Sequence, residues 1–293
     1  MITNMYPSLN IRISMKLQEM AELLEQQGAN PFRVNAYRRA GISLSELKKD
    51  LSSILDEDGM KGLIALPNVG KGIATAISEI IATGRWAQLQ RLRGTLDPVH
   101  LFQTVPGIGP GLASQIHDEL HIDTLEALEN AAYDGSLSRV KGIGDRRLTA
   151  LRASLASMLG RTRKDVRQPA AGGPGVAVLL QIDRLYLEQA NMGELPLITP
   201  KRFNPENTAW LPVLHDEKDG WHFTAMYSNT ARAHQLNRTR DWVIIYFYDD
   251  HQQEGQVTVV TETHGPLLGR RVVRGHELDC RRYYFDSAKA KPR

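Results

Sequence analysis

The chain has 293 residues, 42% of them apolar and 24% charged, with a formal net charge of +3. That length suggests about two domains, each with enough material for a core, and the mild basicity permits a nucleic-acid partner without demanding one. A single cysteine, Cys280, excludes an internal disulfide framework and a cysteine-built zinc site, and fits a reducing compartment. No apolar run approaches the roughly 20 residues of a membrane-spanning helix and no signal pattern opens the chain, so a cytoplasmic protein with no membrane partner is expected.

Residues 1–10 read as a loose lead-in. From Ile11 the apolar positions Ile13, Leu17, Met20, Leu23 and Leu24 predict an amphipathic helix ended at Gly28. Pro31 opens a second helix through Ala40 with Asn30 as N-cap and a basic, aromatic exposed face. Arg33 and Tyr37 lie four apart on it, spaced to grip a terminal phosphate together; a packed tyrosine beside a solvated arginine is the alternative for an isolated pair. Ser43 to Leu55 reads as a further helix, broken by Asp56-Glu57-Asp58-Gly59.

Then comes Leu66-Pro67-Asn68-Val69-Gly70-Lys71-Gly72, which returns as Val105-Pro106-Gly107-Ile108-Gly109-Pro110-Gly111 and, more worn, as Val140-Lys141-Gly142-Ile143-Gly144-Asp145-Arg146. An apolar residue, a turn pair, an apolar residue and a glycine lead each time into a helical run. The pattern predicts helix, tight hairpin, helix, with the N–H groups of the second helix's first turn pointing outward. Those donors and the helix dipole favour an anion, and they hold a phosphate oxygen without reading a base. Asn68 replaces the turn glycine, and Asn is the residue besides Gly that best tolerates a left-handed conformation. A lone glycine pair would indicate no more than a packing turn; three similarly framed copies favour the phosphate-binding hairpin.

Around the second copy, a helix over Val99 to Val105 enters the turn, and another carries Leu112, Ile116 and Leu120. Asp123-Thr124-Leu125-Glu126 then caps a helix running towards Tyr133. Between Arg139 and Lys164 eight basic residues face one acid, Asp145. That segment suits either a polyanion or a solvated helix face; its hairpin favours the first and makes Gly142, Gly144, Arg146 and Arg147 candidate phosphate contacts.

Residues 161–175, rich in Pro, Gly and Ala, predict a flexible linker. Val176 to Ile182 reads as an apolar strand, followed by a helix or loop from Asp183 to Ala190. Ala209 to His215 and Trp221 to Tyr227 predict a hairpin around Asp216–Gly220, and Trp242 to Tyr248 with Gln256 to Thr263 repeat it around His251–Gly255. A mainly antiparallel sheet with little helix is expected, giving an α+β chain overall.

The sheet's loops hold Arg232, His234, Arg238, Arg240, Arg270, Arg271, Arg274 and His276, a rim that suits nucleic acid or an ordinary solvated edge. Asp183, Asp250 and Glu262 are the carboxylates that would have to converge in a nuclease. Asp249-Asp250 reads as a turn cap, and the histidines show no metal-ligand spacing.

Residues 11 to 156 resemble the N-terminal portion of the family X DNA polymerases, especially bacterial members. Asn30 to Ala40, Leu66 to Gly72, Ala82-Thr83-Gly84 and Val105 to Gly111 carry the likeness. The resemblance implies a polymerase-beta-like helical domain over 11–96 and further hairpins over 97–160; the α+β domain over 176–286, read from its strand pattern, resembles nothing nameable. It implies phosphate contacts near Gly70, Lys71, Gly72, Gly107, Gly109 and Gly111, with Arg33 and Tyr37 matching the family's 5′-phosphate grip. It also implies a monovalent cation, K+ or Na+, on the main-chain carbonyls of Leu66, Val69, Val105 and Ile108.

The departures from the family narrow the expectation. The lysine that forms the family's Schiff base is matched by Ala76, and without an amine there the imine cannot form. A second family lysine is matched by Gly72, with Lys71 only adjacent. After residue 160 no Gly-Ser is followed by an Asp-x-Asp metal site. The expected protein is thus a sequence-independent binder of gapped, nicked or 5′-phosphorylated DNA with a repair or processing role, without polymerase or lyase activity. Other repair proteins are further expected partners; a nuclease site in the C-terminal domain, or an adaptor role, are the alternatives.

Overall fold

The computed structural model describes residues 8–159, 173–249 and 255–289. Residues 161–172 of the expected linker, with Arg161, Arg163 and Lys164, lie outside the described residues, as do Asp250 and most of the turn at 251–255. The chain divides into two compact units, one holding residues 8–159 and the other the remaining described segments. The first is helical and the second is built on an antiparallel sheet, so the chain is α+β.

In the first unit, α1 (Leu9–Gln26) begins earlier than the lead-in reading allows, because Ser8 accepts an N–H from Ile11 as its N-cap. Ile13, Leu17, Met20 and Leu24 bury its stripe against α2 (Pro31–Ser45). The helices approach closely where Ser14 donates to the Gly41 carbonyl at 2.6 Å; a side chain at Gly41 would press on Ser14 and Gln18. Asn30 caps α2 by accepting from Phe32 at 2.8 Å, with Pro31 preset for the first turn.

The predicted helix from Ser43 to Leu55 is in fact two helices. α2 stops at Ser45, and α3 (Leu51–Ile64) starts afresh from Asp50, whose carboxylate accepts the Ser52 N–H at 2.8 Å. The side chain of Asn10 clasps the bend by donating to the Leu47 and Lys49 carbonyls and accepting from the Leu51 N–H. Apolar periodicity runs across such a bend without showing it. Asp56–Gly59 does break the helix as expected: Gly59, at φ 61 and ψ −154, leaves the helical conformation and kinks α3, and helical backbone resumes beyond it to Ile64.

Beyond the first hairpin, α4 (Lys71–Thr83) packs on α3 and α5 (Ala87–Leu92) on α1. α6 (Pro98–Phe102), shorter than the expected 99–105, is followed by α7 (Pro110–Leu120), α8 (Leu125–Tyr133) and α9 (Asp145–Met158). One apolar cluster joins these four, with Val105 and Ile108 from the second hairpin beside Val140 and Ile143 from the third. The hairpins are therefore rooted in a core by their apolar positions, while their turns stay outside it.

The second unit opens on α10 (Val176–Met192), where Val176 to Ile182 had been expected as a strand. A short apolar run does not distinguish strand from helix. What decides here is that Leu179, Leu180, Ile182, Asp183 and Tyr186 recur at helical spacing and bury one face, from Gly175 as N-cap to Gly193 at φ 71. α10 and α12 (Glu277–Lys289) give this unit more helix than expected.

Six antiparallel strands follow in the order β1 to β6: Leu197–Ile198, Leu211–Lys218, Trp221–Tyr227, Val243–Tyr248, Gly255–Thr261 and Arg271–Val273. β2 runs further into the expected turn at 216–220, and the reversal tightens to Asp219-Gly220, both at positive φ, as a two-residue hairpin demands. α11 (Ala231–Gln235) interrupts the β3–β4 connection. No helix among the described residues is long and apolar enough to cross a membrane.

Candidate nucleic-acid interface

The three hairpins are one backbone built three times. Pro67-Asn68, Pro106-Gly107 and Lys141-Gly142 sit at the turn centres, with φ of 61, 90 and 92 at the second position, the pattern of a type II turn. Asn68 accepts the left-handed conformation its copies give to glycine, and its Nδ2 donates to Ser43 Oγ at 2.8 Å. The closing bonds repeat: Val69 to the Leu66 carbonyl at 3.2 Å, Ile108 to Val105 at 3.1 Å, Ile143 to Val140 at 3.2 Å. Val69, Ile108 and Ile143 are buried and pin each turn to its core.

Helix entry repeats too. Gly70, Gly109 and Gly144 are the N-caps of α4, α7 and α9, all extended, with ψ of 177, 173 and 171. The first intrahelical bonds, from Ala74, Ala113 and Leu148 to those glycine carbonyls, are each 2.9 Å. The first-turn N–H groups of a helix have no intrahelical acceptor, and a glycine N-cap supplies none from a side chain. Gly70, Gly72, Gly109, Gly111 and Gly144 are exposed, and beyond the adjoining residues and the local helix backbone a methyl group placed on any of them meets no described atom within 4 Å. Nothing packed against them among the described residues explains the absence of side chains there. The space is open to a partner.

The copies differ in charge. Lys71 stands exposed at the first position of α4 and Pro110, without an N–H, at that of α7. The third copy places the Asp145 carboxylate at the first position of α9, where it competes with an incoming anion for the same N–H groups. Arg146 is exposed beside it, and Arg147 folds back to donate to the Gly142 carbonyl at 2.6 Å. Gly142 and Gly144 thus keep the geometry of the other copies in a different electrostatic setting.

A helix-hairpin-helix domain family matches residues 8–86, and a SAM-like helix-hairpin-helix tandem family matches residues 99–157. Over 130 residues the N-terminal region is 28% identical to the DNA polymerase/3′-5′ exonuclease PolX of Bacillus subtilis (strain 168). The N-terminal half is a family X polymerase-like helix-hairpin-helix region. The aligned part is 44% of this chain and 22% of that relative, so the chain spans about a fifth of the relative's length.

In this helix-hairpin-helix region, Arg33 and Tyr37 are not on the exposed face of α2. They are 8% and 7% exposed. Tyr37 donates to Gln88 Oε1 at 3.3 Å, and its ring lies 5.7 Å from that of Trp86. The buried stripe Arg33, Val34, Tyr37, Ala40 and Leu44 turns the pair inward, and Phe32, 85% exposed, is the aromatic that faces out. Ala76 is buried on α4.

Outside the region, two of the three carboxylates that would have to converge, Asp183 and Glu262, are each tied to a different arginine, and the third, Asp250, lies outside the described residues. Asp183, 1% exposed on α10, takes a bidentate pair of bonds from Arg271 at 2.7 and 2.8 Å, and Arg271 also holds Asp241 at 2.8 Å. Burial raises the Asp183 carboxyl above the ordinary carboxylate range, with Arg271 pulling the other way. Glu262 is held by Arg274 at 2.9 Å. Among the described residues no three His, Cys, Asp or Glu side chains are placed to hold a metal ion. Arg271, expected on a loop rim, is instead the interior tie between α10 and β6, a role its place at a strand start gave no sign of.

Proposed function

We propose that the chain is a DNA-binding protein that holds the sugar-phosphate backbone at its tandem hairpins, independently of base sequence, and serves DNA repair or processing. One observation carries this reading: the same exposed turn recurs with side-chain-free glycines at the start of a helix, in a region like that of a DNA polymerase. Main-chain N–H groups at Gly70 to Gly72 and near Gly109 and Gly111 contact phosphate oxygens, with Lys71 adding charge. Such contacts position a duplex and specify no base. The third hairpin contributes through Arg146 and Arg147 more than through its N–H groups, given Asp145.

The resemblance supports gapped, nicked or 5′-phosphorylated DNA as the preferred form. It also supports a monovalent cation on the carbonyls of Leu66, Val69, Val105 and Ile108. Leu66 and Val105 each already accept one N–H in their turn, and a carbonyl oxygen has two lone pairs, so the donor set suits such an ion. When bound, it would add positive charge beside the phosphate contacts. No lyase step is assigned to the chain, because Ala76 holds the position of the family lysine, and no polymerase step, because no Gly-Ser followed by an Asp-x-Asp stands after residue 160.

Binding of labelled gapped, nicked and intact duplexes of one sequence, then of a scrambled sequence, tests the proposal. It predicts a preference for interrupted DNA that survives scrambling. Equal affinity for all three forms removes the structural selectivity, and dependence on sequence removes the backbone mode.

A further inference from the structure

At one end of the sheet in the second unit, antiparallel order gathers the β1–β2, β3–β4 and β5–β6 connections. They carry Lys201, Arg202, Arg232, Arg238, Arg240 and Arg270 against the acids Glu206, Asp241 and Glu262. Two of those acids are already engaged, Asp241 by Arg271 and Glu262 by Arg274.

Phe203 stands at this end, 43% exposed, with φ 52. A bulky side chain in the left-handed region is a genuine outlier and carries a conformational cost. The other left-handed positions in the β1–β2 and β3–β4 connections are Asn207 and Asn237, the residue type that tolerates the conformation, and those in the β5–β6 connection are glycines. Phe203 is the exception, and what its ring gains inside the fold is partial. One side packs on His234, centroids 4.5 Å apart, and Trp210 meets His234 edge-on at 6.4 Å. His234 Nε2 is 2.7 Å from Asn229 Oδ1, and Asn229 Nδ2 donates to the Arg202 carbonyl at 3.0 Å, so the connections are tied into one platform. Over the Phe203 ring lies the Arg202 guanidinium, 5.3 Å from its centroid, a loose cover on a flexible stem.

We infer that this end of the sheet binds single-stranded DNA, with an unpaired base stacked on Phe203 in place of Arg202 and flanking phosphates taken by Arg202, Lys201 and Arg232. A fixed aromatic face among cations is what sequence-tolerant single-strand binding requires: the ring stacks any base, and the charges track the backbone. The site is separate from the hairpins and does not depend on how they act.

The test uses the full chain, a fluorescein-labelled 12-nucleotide oligo-dT and fluorescence anisotropy. Phe203→Asn removes the ring while suiting the backbone, so the fold is kept and oligo-dT affinity falls about tenfold. Phe203→Trp retains binding, and Gly70→Asp with Gly109→Asp, which weakens duplex binding, leaves oligo-dT binding in place. Failure of the wild-type chain to bind oligo-dT overturns the inference. So does unchanged affinity in Phe203→Asn, which would leave the ring as packing or as a docking point for another protein. Equal loss in Phe203→Asn and Phe203→Trp, or loss only in the hairpin variant, overturns it as well.

Discussion

Replacing Gly70 and Gly109 by aspartate separates what the hairpins do for the fold from what they do for a partner. Both residues are N-caps with extended backbone that an L side chain adopts freely, and the space beside each is open. Aspartate there accepts first-turn N–H groups and complements the helix dipole, so each change stabilises the fold by about 0.5–1 kcal/mol. The same carboxylate occupies and repels the proposed phosphate position. Charge-assisted hydrogen bonds worth about 1.5–3 kcal/mol each are lost, so DNA affinity falls at least about tenfold per hairpin. The two introduced carboxylates offset up to two of the phosphate charges that basic side chains neutralise, so the slope of log K against log salt shrinks by up to about 1.8. Thermal melting of the variant and anisotropy titrations across a salt series read both effects. Opposite signs, a firmer fold with weaker binding, are expected; a firmer fold with unchanged affinity and slope refutes the hairpin contacts.

Asn68→Val puts a β-branched residue at φ 61 and loses the bond to Ser43, so a destabilisation of about 1–3 kcal/mol is expected in denaturant titration. Arg271→Met leaves the Asp183 carboxylate buried without its partner and costs about 3–5 kcal/mol; a loss below about 1 kcal/mol would show that the Asp183–Arg271 pair does not hold α10 to the sheet. Borohydride treatment on an abasic gapped substrate is expected to trap no covalent adduct, since Ala76 offers no amine, and a strong adduct would identify another nucleophile. Incubation with gapped DNA and Mg2+ should leave the DNA intact, as Asp183 and Glu262 are both held by arginines; metal-dependent cleavage would restore the nuclease reading.

The hairpins were readable from sequence because their geometry is local. A turn with Pro before a left-handed residue, two apolar anchors and a glycine at the helix start are settled within seven residues, and even Asn68 could be assigned by its backbone tolerance. What escaped depends on tertiary partners. Asn10 splits one apparent helix into two from 37 to 41 residues away in the chain. α10 is a helix because its Asp183 and Tyr186 continue the buried face set by Leu179 and Leu180; a seven-residue window ending at Ile182 cuts that period short. Arg33 and Tyr37 share a helix face as their spacing said, but spacing gives no direction: both are buried, and Tyr37 lies against Trp86 and Gln88. Asp183 looked like a candidate catalyst because its partner, Arg271, stands 88 residues on.

Amide chemical shifts of the full chain, followed while gapped DNA is added, bear most directly on the claim that main-chain N–H groups at the hairpins hold phosphate. The account predicts that Gly70, Lys71, Gly72, Gly109, Gly111 and Leu112 show the largest displacements at the lowest DNA concentrations. Displacements that leave these amides in place and gather elsewhere would contradict it.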